Sequence, residues 1–299
     1  MSSDDVLSMY SRYPFPGEDY LVKEHFQVNR YLTGRGDTSG VTVLDAGCGT
    51  GHSLVALCRA FPDIRITGVD FCEASLDHAR RLVQEAGLEQ VTLQQADLNQ
   101  LELGKKFRYV FSIGVLHAIP DPLPAWQNLT RHLEDDGRMI IWLYGKYGRA
   151  RLLQNQQMLQ VLLQNVSDQE ERTRLAARMI DEAPGRHMQC TFSTGDGRIT
   201  YHSDWEVRKK WLLEREAWIN DQFLHPVETP VSMTDILEVA GRCGLELEEW
   251  FGVNRSAERY VRSPELTALF DGLDERDRLQ AIDLLVKPDS YMVALRKNP

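Results

Sequence analysis

A dense group of glycines follows a short apolar run in the segment VLDAGCGTGHS, residues 43 to 53. Asp45 comes first, and Gly47, Gly49 and Gly51 then occupy every second position. Because glycine has no Cβ, such a loop lets a ligand approach the backbone closely. A glycine-rich turn between a strand and a helix also lies at the carboxyl edge of an α/β sheet, where ligands bind. The segment therefore predicts a cofactor-binding loop.

The spacing of these glycines differs from that of a dinucleotide-binding loop. The pattern G-x-G-x-x-G would start with Gly47 and Gly49 and would require a third glycine at the position of His52. A dinucleotide site is therefore disfavoured.

Short β-rich runs alternate with helical patterns from residue 41 to about residue 143. Strands separated by helices of this length predict right-handed crossovers and a mainly parallel sheet covered on both faces. Two more strands are predicted later, in LELEEWFGV and SYMVALRK. The predicted fold class is α/β, a seven-stranded, mainly parallel, doubly wound sheet.

Helical patterns outside this minimal sheet define the other predicted parts of the chain. Within the longest of them, helices are predicted over 149–166, 168–180 and 204–219. The predicted division is a helical and aromatic cap over 1–40, a core over 41–143, a mostly helical lid over 144–230, and the rest of the core over 231–299 with a helical insertion at about 256–287.

The pattern D-x-G-x-G-x-G from Asp45 to Gly51 resembles the first motif of the class I S-adenosylmethionine-dependent methyltransferases. The resemblance covers residues 41–143 well and the last two strands more loosely. It implies that S-adenosylmethionine is the cofactor, that S-adenosylhomocysteine is its product, and that the activity is methyl transfer. It further implies that Asp45 receives the cofactor's amine, while the glycine amides suit its carboxylate and ribose side.

Further motifs of this family match the ends of the next three predicted strands. Asp70, in ITGVDFC, corresponds to the acid that accepts hydrogen bonds from both ribose hydroxyls. Phe71 follows it and is expected either to pack on the adenine or to be an ordinary core aromatic. Asp97, in QQADLNQL, corresponds to the residue that binds the adenine amino group, with the backbone amide of Leu98 facing the ring. An alternative for Asp97 is the N-cap of a following turn. Gly114 lies in SIGVLHAIPDP, which resembles the motif at the end of the fourth strand.

Methyl transfer requires an oriented nucleophile and, for a hydroxyl or amine, a group that accepts its proton. His117 is the first candidate, because the end of the fourth strand faces the methyl group in this fold. The alternative is a histidine that only packs and hydrogen-bonds at the strand end. Asp221 and His225 are the second, in a D-x-F-L-H-P segment similar to one in a subset of uncharacterised and peptide- or natural-product-directed methyltransferases. An ordinary turn before Pro226 is the alternative explanation of the His-Pro pair. The family often has an aromatic residue or a second histidine after His117, whereas Ala118 follows here, so the identity of the base stays open.

Aromatic residues near the start of the sequence and after the fifth strand are the predicted substrate contacts. The segment MYSRYPFPGEDY is stiff and aromatic and is expected to form a flap, opposite LYGKYGR after the fifth strand. Packing of the lid is the alternative role for these side chains. The residues chosen are Tyr10, Tyr13, Phe15, Tyr144, Tyr147 and Arg149.

The amino-acid composition limits the kinds of partner that the protein is expected to bind. The net charge of −10 and the pI near 5.3 disfavour a nucleic-acid surface, which needs clustered Lys and Arg. Residues 144–230 carry twelve acidic and twelve basic residues, which favours a small molecule or short peptide as substrate.

The five cysteines include no CxxC pair, so no metal is expected. With no long apolar segment, no membrane association is predicted, and a cytoplasmic location is expected. A homodimer through the extra helices stays open.

The sequence therefore predicts a methyltransferase that acts on an O or N nucleophile of a small molecule, natural-product intermediate or peptide. Two alternatives stay open. One is a regulatory module that binds S-adenosylmethionine or S-adenosylhomocysteine without methyl transfer. The other is a different enzyme on the same scaffold, such as a nicotinamide-dependent reductase.

Overall fold

The computed structural model describes residues 3–15, 32, 38–188 and 205–298. Its centre is one seven-stranded sheet with the strand order β3-β2-β1-β4-β5-β7-β6. Strands β1 to β5 pair in parallel, and β7 runs antiparallel to both of its neighbours. The predicted mainly parallel, doubly wound sheet is confirmed. The strands are β1 Thr42–Ala46, β2 Arg65–Asp70, β3 Val91–Gln95, β4 Phe107–Ile113, β5 Leu133–Tyr144, β6 Leu245–Trp250 and β7 Ser290–Lys297.

The central strands are apolar because helices cover both of their faces. Val43, Leu44 and Ala46 of β1 are fully buried, and β4 and β5 continue the same core. Two hydrophobic clusters lie on opposite faces of the sheet, one with Leu44 and one with Val43. β3 lies at one edge of the sheet and is largely exposed.

The helices that cover the sheet follow the predicted pattern. Helix α10, Met233–Arg242, starts with a capping box, in which Ser232 and Asp235 satisfy each other's backbone N–H groups. No helix in the described ranges is long and apolar enough to cross a membrane. The helices of the described chain are α1 Ser3–Arg12, α2 His52–Ala60, α3 Glu73–Glu85, α4 Leu123–Arg131, α5 Ala150–Leu162, α6 Gln169–Glu182, α7 Gly185–Met188, α8 Trp205–Leu213, α9 Glu216–Phe223, α10 Met233–Arg242, α11 Pro264–Asp271 and α12 Glu275–Val286.

The helices between β5 and α10 pack into a third hydrophobic cluster of their own. The single helix predicted over 204–219 is wrong, because the chain forms α8 and α9 with a break at Arg215, whose φ and ψ are −138° and 87°. After the break, Ile219 and Phe223 of α9 are buried together with Leu212 of α8. Burial of both helices in one cluster therefore overrides the continuous helical propensity of this stretch.

The predicted cap over 1–40 is described only in part. α1 buries Val6 and Met9 and packs against α3. The described cysteines are free thiols, three of them buried, and Cys190 lies outside the described residues.

Candidate active site

The glycine loop between β1 and α2 adopts the left-handed conformation that glycine tolerates best. Gly47 has a φ of 86° and Gly51 a φ of 84°. A Cβ on Gly47 would lie 2.2 Å from Cγ2 of Val115, and one on Gly51 would lie 2.9 Å from Cβ of Ala79. The sequence pattern predicts that these glycines let a ligand approach the backbone closely. The structure shows that packing within the protein also requires glycine at Gly47 and Gly51.

Two buried carboxylates lie next to this loop. Asp70, at the end of β2, accepts hydrogen bonds from the backbone N–H groups of Gly49 and Cys72, each at 2.9 Å. Burial raises the pKa of Asp70, and these amide hydrogen bonds oppose the rise. Burial, followed by the charge of Asp70, raises the pKa of Asp45 to about 7. Among the described residues, none donates a hydrogen bond to the Asp45 carboxylate.

These carboxylates provide a test of whether S-adenosylmethionine fits the site. Burying a carboxylate is costly unless it gains a cation or hydrogen-bond donors. An ammonium group would satisfy Asp45, and ribose hydroxyls would donate to Asp70. The donor and acceptor chemistry of the loop therefore fits the cofactor that the motif implies.

The other predicted cofactor residues lie at the carboxyl ends of neighbouring strands. Phe71 follows β2 and is half-buried, and Gly114 follows β4 with a φ of 77°. Asp97 is exposed after β3 and caps a short 3-10 helix, accepting a hydrogen bond of 2.9 Å from the backbone N–H of Asn99. Leu98 is buried. Parallel strands bring these residues to one edge of the sheet, and their contacts with a nucleoside stay predictions.

His117 lies in a 3-10 turn directly after β4 and is 5% exposed. Its Nδ1 is buried and has no hydrogen-bond partner within the described part of the chain. The imidazole lies 4.2 Å from the ring of Tyr144 and 6.2 Å from that of Trp142, measured between centroids. Burial, then the nearby Arg149 and His225, lower the pKa of His117 well below its usual value. The ring is therefore neutral near pH 7, with a nitrogen free to receive a hydrogen bond.

Asp221 and His225 meet Tyr10 in a buried hydrogen-bonded group. The Tyr10 hydroxyl donates to Oδ1 of Asp221 at 3.0 Å, and the Tyr144 hydroxyl donates to Oδ2 at 3.3 Å. The Gln222 amide donates to the same Oδ2 at 2.6 Å. Burial raises the pKa of Asp221 and lowers that of His225. We call Tyr10, Tyr144, Asp221, Gln222 and His225 the carboxylate cluster.

The hydrogen bonds of His225 define its tautomer. Nδ1 accepts from the backbone N–H of Val227 at 3.2 Å, so the proton of the neutral ring resides on Nε2. Nε2 lies 3.3 Å from the Tyr10 hydroxyl oxygen, to which it donates while Tyr10 donates to Asp221. Both nitrogens of His225 thus have a hydrogen-bond partner, in contrast to Nδ1 of His117.

Arg149 is 2% exposed and interacts with protein groups instead of an open cleft. Its Nε and Nη2 donate to the two carboxylate oxygens of Glu228 at 3.0 and 3.3 Å. Its Nη1 donates to Gln222 at 3.3 Å, and its guanidinium lies 3.4 Å from the centre of the Tyr144 ring. The guanidinium therefore orients two members of the carboxylate cluster, and Glu228 neutralises its charge.

The remaining predicted substrate residues lie in different places. Phe15 packs on Trp218 at 4.7 Å, and its carbonyl accepts a hydrogen bond of 3.2 Å from Thr50 of the glycine loop. The Tyr13 hydroxyl accepts from Thr173 of α6 at 3.4 Å. Tyr147 contributes, after burial and Asp283, to the raised pKa of Tyr291, and no contact joins it to the carboxylate cluster in the described structure.

Sequence reasoning missed Gln222, Glu228 and Gln156, which complete the buried polar network. Gln156 donates to Glu228 at 2.9 Å and to the backbone carbonyl of Gln222 at 2.9 Å. The position of Gln222 directly after Asp221 was the one signal available, since glutamine and glutamate in a helical lid usually face solvent.

Comparisons with known proteins place the chain in a family. A family model described as "Methyltransferase domain" matches residues 37–202, more than half of the chain. A malonyl-[acyl-carrier protein] O-methyltransferase of Bacillus anthracis is 26% identical over 239 residues, which are 80% of this chain and 75% of that protein. An uncharacterized protein of Synechococcus sp. is 27% identical over 238 residues, which are 75% of this chain and 54% of that protein.

The solved structure of PKMT2 from Rickettsia typhi in complex with AdoHcy has the same fold. It superposes with a TM-score of 0.66 at 16% identity, covering 92% of this chain and 53% of that one. The chain thus spans about half the length of the Synechococcus and Rickettsia proteins. Together with the strand order and the glycine loop, the family match leads to one conclusion: the chain belongs to the methyltransferase-domain family of class I S-adenosylmethionine-dependent methyltransferases.

Proposed function

We propose that this chain transfers a methyl group from S-adenosylmethionine to an O or N nucleophile of a small molecule, natural-product intermediate or peptide. The observation that carries the proposal is the buried, unpartnered Nδ1 of His117 at the same sheet edge as the glycine loop. A buried polar atom without a partner is costly, so a ligand is its natural complement. Relatives named as a malonyl-[acyl-carrier protein] O-methyltransferase and a polyketide synthase support the choice of substrate classes.

In this proposal, the residues around the glycine loop hold the cofactor. Asp45 binds its amine, Asp70 binds the ribose hydroxyls, and the loop amides face its carboxylate and ribose side. The adenine end of the site and the part of the site next to it are lined by Phe71, Asp97, Leu98 and Gly114. When bound, S-adenosylmethionine supplies a methyl group already activated on a positively charged sulfur.

The protein's own contribution is to orient the nucleophile and to accept its proton. His117 is neutral and has a free nitrogen, so it is the proton acceptor in this proposal. The carboxylate cluster fixes the Tyr144 ring against which His117 packs, and α1 contributes Tyr10 to that cluster. Buried aromatic groups at this position also exclude water from the transfer.

The test is methyl transfer from deuteromethyl-labelled S-adenosylmethionine to an extract of small molecules and peptides, with products detected by mass spectrometry. We expect labelled products with the wild-type protein and with a surface control, His187→Asn, but not with His117→Asn. Calorimetric binding of S-adenosylhomocysteine should be lost in Asp70→Ala and kept in His117→Asn. Cofactor binding without any labelled product would instead identify the regulatory module.

A further inference from the structure

We propose, on the basis of the proposed function, that the acceptor is a neutral hydroxyl group, an alcohol or a phenol, and not a carboxylate or an ammonium group. The carboxylate cluster and His117 carry the inference. The charges and hydrogen bonds of these residues suit a hydroxyl better than a carboxylate or an ammonium group.

A carboxylate acceptor would enter a site in which a buried carboxylate, Asp221, already lacks a cation partner among the residues that the structure describes. Asp221 accepts its three hydrogen bonds from neutral donors, two phenols and one amide. Arg149 is the one cation that contacts this cluster within the described residues, and Glu228 neutralises it in a two-point ion pair. A second carboxylate would therefore meet repulsion from Asp221 without a free cation to hold it, and a carboxylate has no proton for His117 to accept.

An ammonium acceptor is disfavoured for a different reason. Asp221 is 5% exposed, and hydrogen bonds already occupy three of its roughly four acceptor sites, so an ammonium cannot reach it easily. The group that lacks a partner is the neutral ring of His117. Burying a cation against a neutral imidazole costs desolvation, and Asp221 does not offset that cost because most of its acceptor sites are already occupied.

A hydroxyl fits the unpartnered nitrogen directly. Its O–H donates to Nδ1 of His117, which satisfies both groups without burying a new charge. In the transfer, the acceptor oxygen forms its bond to the methyl carbon, and the electron pair of the broken C–S bond stays on sulfur. The hydroxyl proton passes to Nδ1 of His117, and the ring becomes an imidazolium.

Three small probes of similar shape and different charge test this inference by binding alone. The probes are 4-fluorophenol, 4-fluorobenzoate and 4-fluorobenzylammonium, each titrated by fluorine NMR into the protein saturated with S-adenosylhomocysteine. The matched variants are Asp221→Asn and the surface control Asp271→Asn, which lies exposed on α11. Thermal unfolding and calorimetric binding of S-adenosylhomocysteine check that each variant is folded.

We expect 4-fluorophenol to bind at least about tenfold more tightly than either charged probe in the wild-type protein and in Asp271→Asn. In Asp221→Asn, loss of the carboxylate should reduce the difference in affinity between 4-fluorophenol and 4-fluorobenzoate. Benzoate or benzylammonium that binds as tightly as the phenol overturns the inference, and so does a protein that binds S-adenosylhomocysteine but none of the probes. Failure to bind S-adenosylhomocysteine would contradict the proposed function instead.

The chemical stability of the labelled products gives a second readout. Deuteromethyl ethers resist mild alkali, whereas deuteromethyl esters release labelled methanol. Alkali-resistant O-methyl products support a hydroxyl acceptor. Release of labelled methanol, or label bound to nitrogen, overturns it.

Discussion

The hydroxyl of Tyr10 donates a 3.0 Å hydrogen bond to the carboxylate of Asp221, across 211 positions of the sequence. One partner lies on α1, at the start of the described chain, and the other on α9, among the helices between β5 and α10. Their contact joins α1 to these helices at the carboxylate cluster. A residue of the N-terminal helix is thereby part of the candidate active site.

Tyr10→Phe should impair methyl transfer without weakening cofactor binding. The change removes one donor of Asp221 and leaves the Nε2–H of His225 without its acceptor. We expect the transfer rate to fall by roughly ten- to hundredfold, the range for losing one buried hydrogen bond to a charged group. The measurement is the initial rate with the acceptor identified by labelled cofactor, beside calorimetric binding of S-adenosylhomocysteine.

Tyr260→Phe is the matched control, because that hydroxyl donates to a backbone carbonyl on the protein surface. Its rate should equal that of the wild type. An unchanged rate in Tyr10→Phe would show that α1 has no part in the chemistry.

The raised pKa of Asp45 predicts a pH dependence of cofactor affinity. Without ligand, the folded protein holds this proton up to about pH 7, while the unfolded chain releases it near the ordinary value of 3.8. The cofactor's ammonium group favours the ionised form, so binding below pH 7 must release the proton. We expect the affinity for S-adenosylhomocysteine to rise by roughly tenfold from about pH 6 to about pH 8. Calorimetry in two buffers of different ionisation enthalpy measures both the affinity and the proton release.

Asp45→Asn should remove this pH dependence and weaken binding throughout the range. It should also stabilise the unliganded protein near pH 8. At that pH, the wild-type protein must keep the buried Asp45 carboxylate ionised. The free energy of unfolding of the wild type therefore falls as the pH rises from about 4 to about 7. Thermal unfolding across this pH range checks the sign. A variant whose affinity keeps the wild-type pH dependence would assign the proton to another group.

The sheet and the loop were predictable from the sequence because their signals are local. The buried run of β1 and the glycines after it lie within ten residues, and each motif residue closes its own strand. The carboxylate cluster was predictable only as separate candidates, since nothing local reveals that Tyr10 reaches Asp221. The pairing of Arg149 with Glu228 was not predictable, because the sequence alone cannot show that this arginine is buried. The break at Arg215 was missed because it depends on packing against α5 and α6.

Removal of one partner of the ion pair between Arg149 and Glu228 should strongly destabilise the protein. Both side chains are almost fully buried, so Arg149→Met leaves the Glu228 carboxylate without its cation. We expect a loss of about 3–5 kcal/mol in the free energy of unfolding, measured by urea denaturation. The double variant Arg149→Met/Glu228→Leu should recover part of that loss, because it removes the unpaired charge.

The exposed pair of Arg178 and Glu182 provides the comparison, since each side chain is about two-thirds exposed. Arg178→Ala should leave the free energy of unfolding almost unchanged. Equal losses at the two sites would show that Arg149 is not buried as the structure has it.

Gly47→Ala separates close packing from backbone conformation in the glycine loop. Gly47 and Gly87 both have a positive φ, at 86° and 66°, so an alanine is strained at either position by about 1–2 kcal/mol. A methyl group on Gly47 would also lie 2.2 Å from Val115, whereas one on Gly87 meets nothing within 4 Å. Urea denaturation should therefore show a clearly larger loss for Gly47→Ala than for Gly87→Ala. Adding Val115→Ala should restore part of the difference only if the clash with Val115 is its cause, and a double variant no more stable than Gly47→Ala would attribute the loss to the backbone alone.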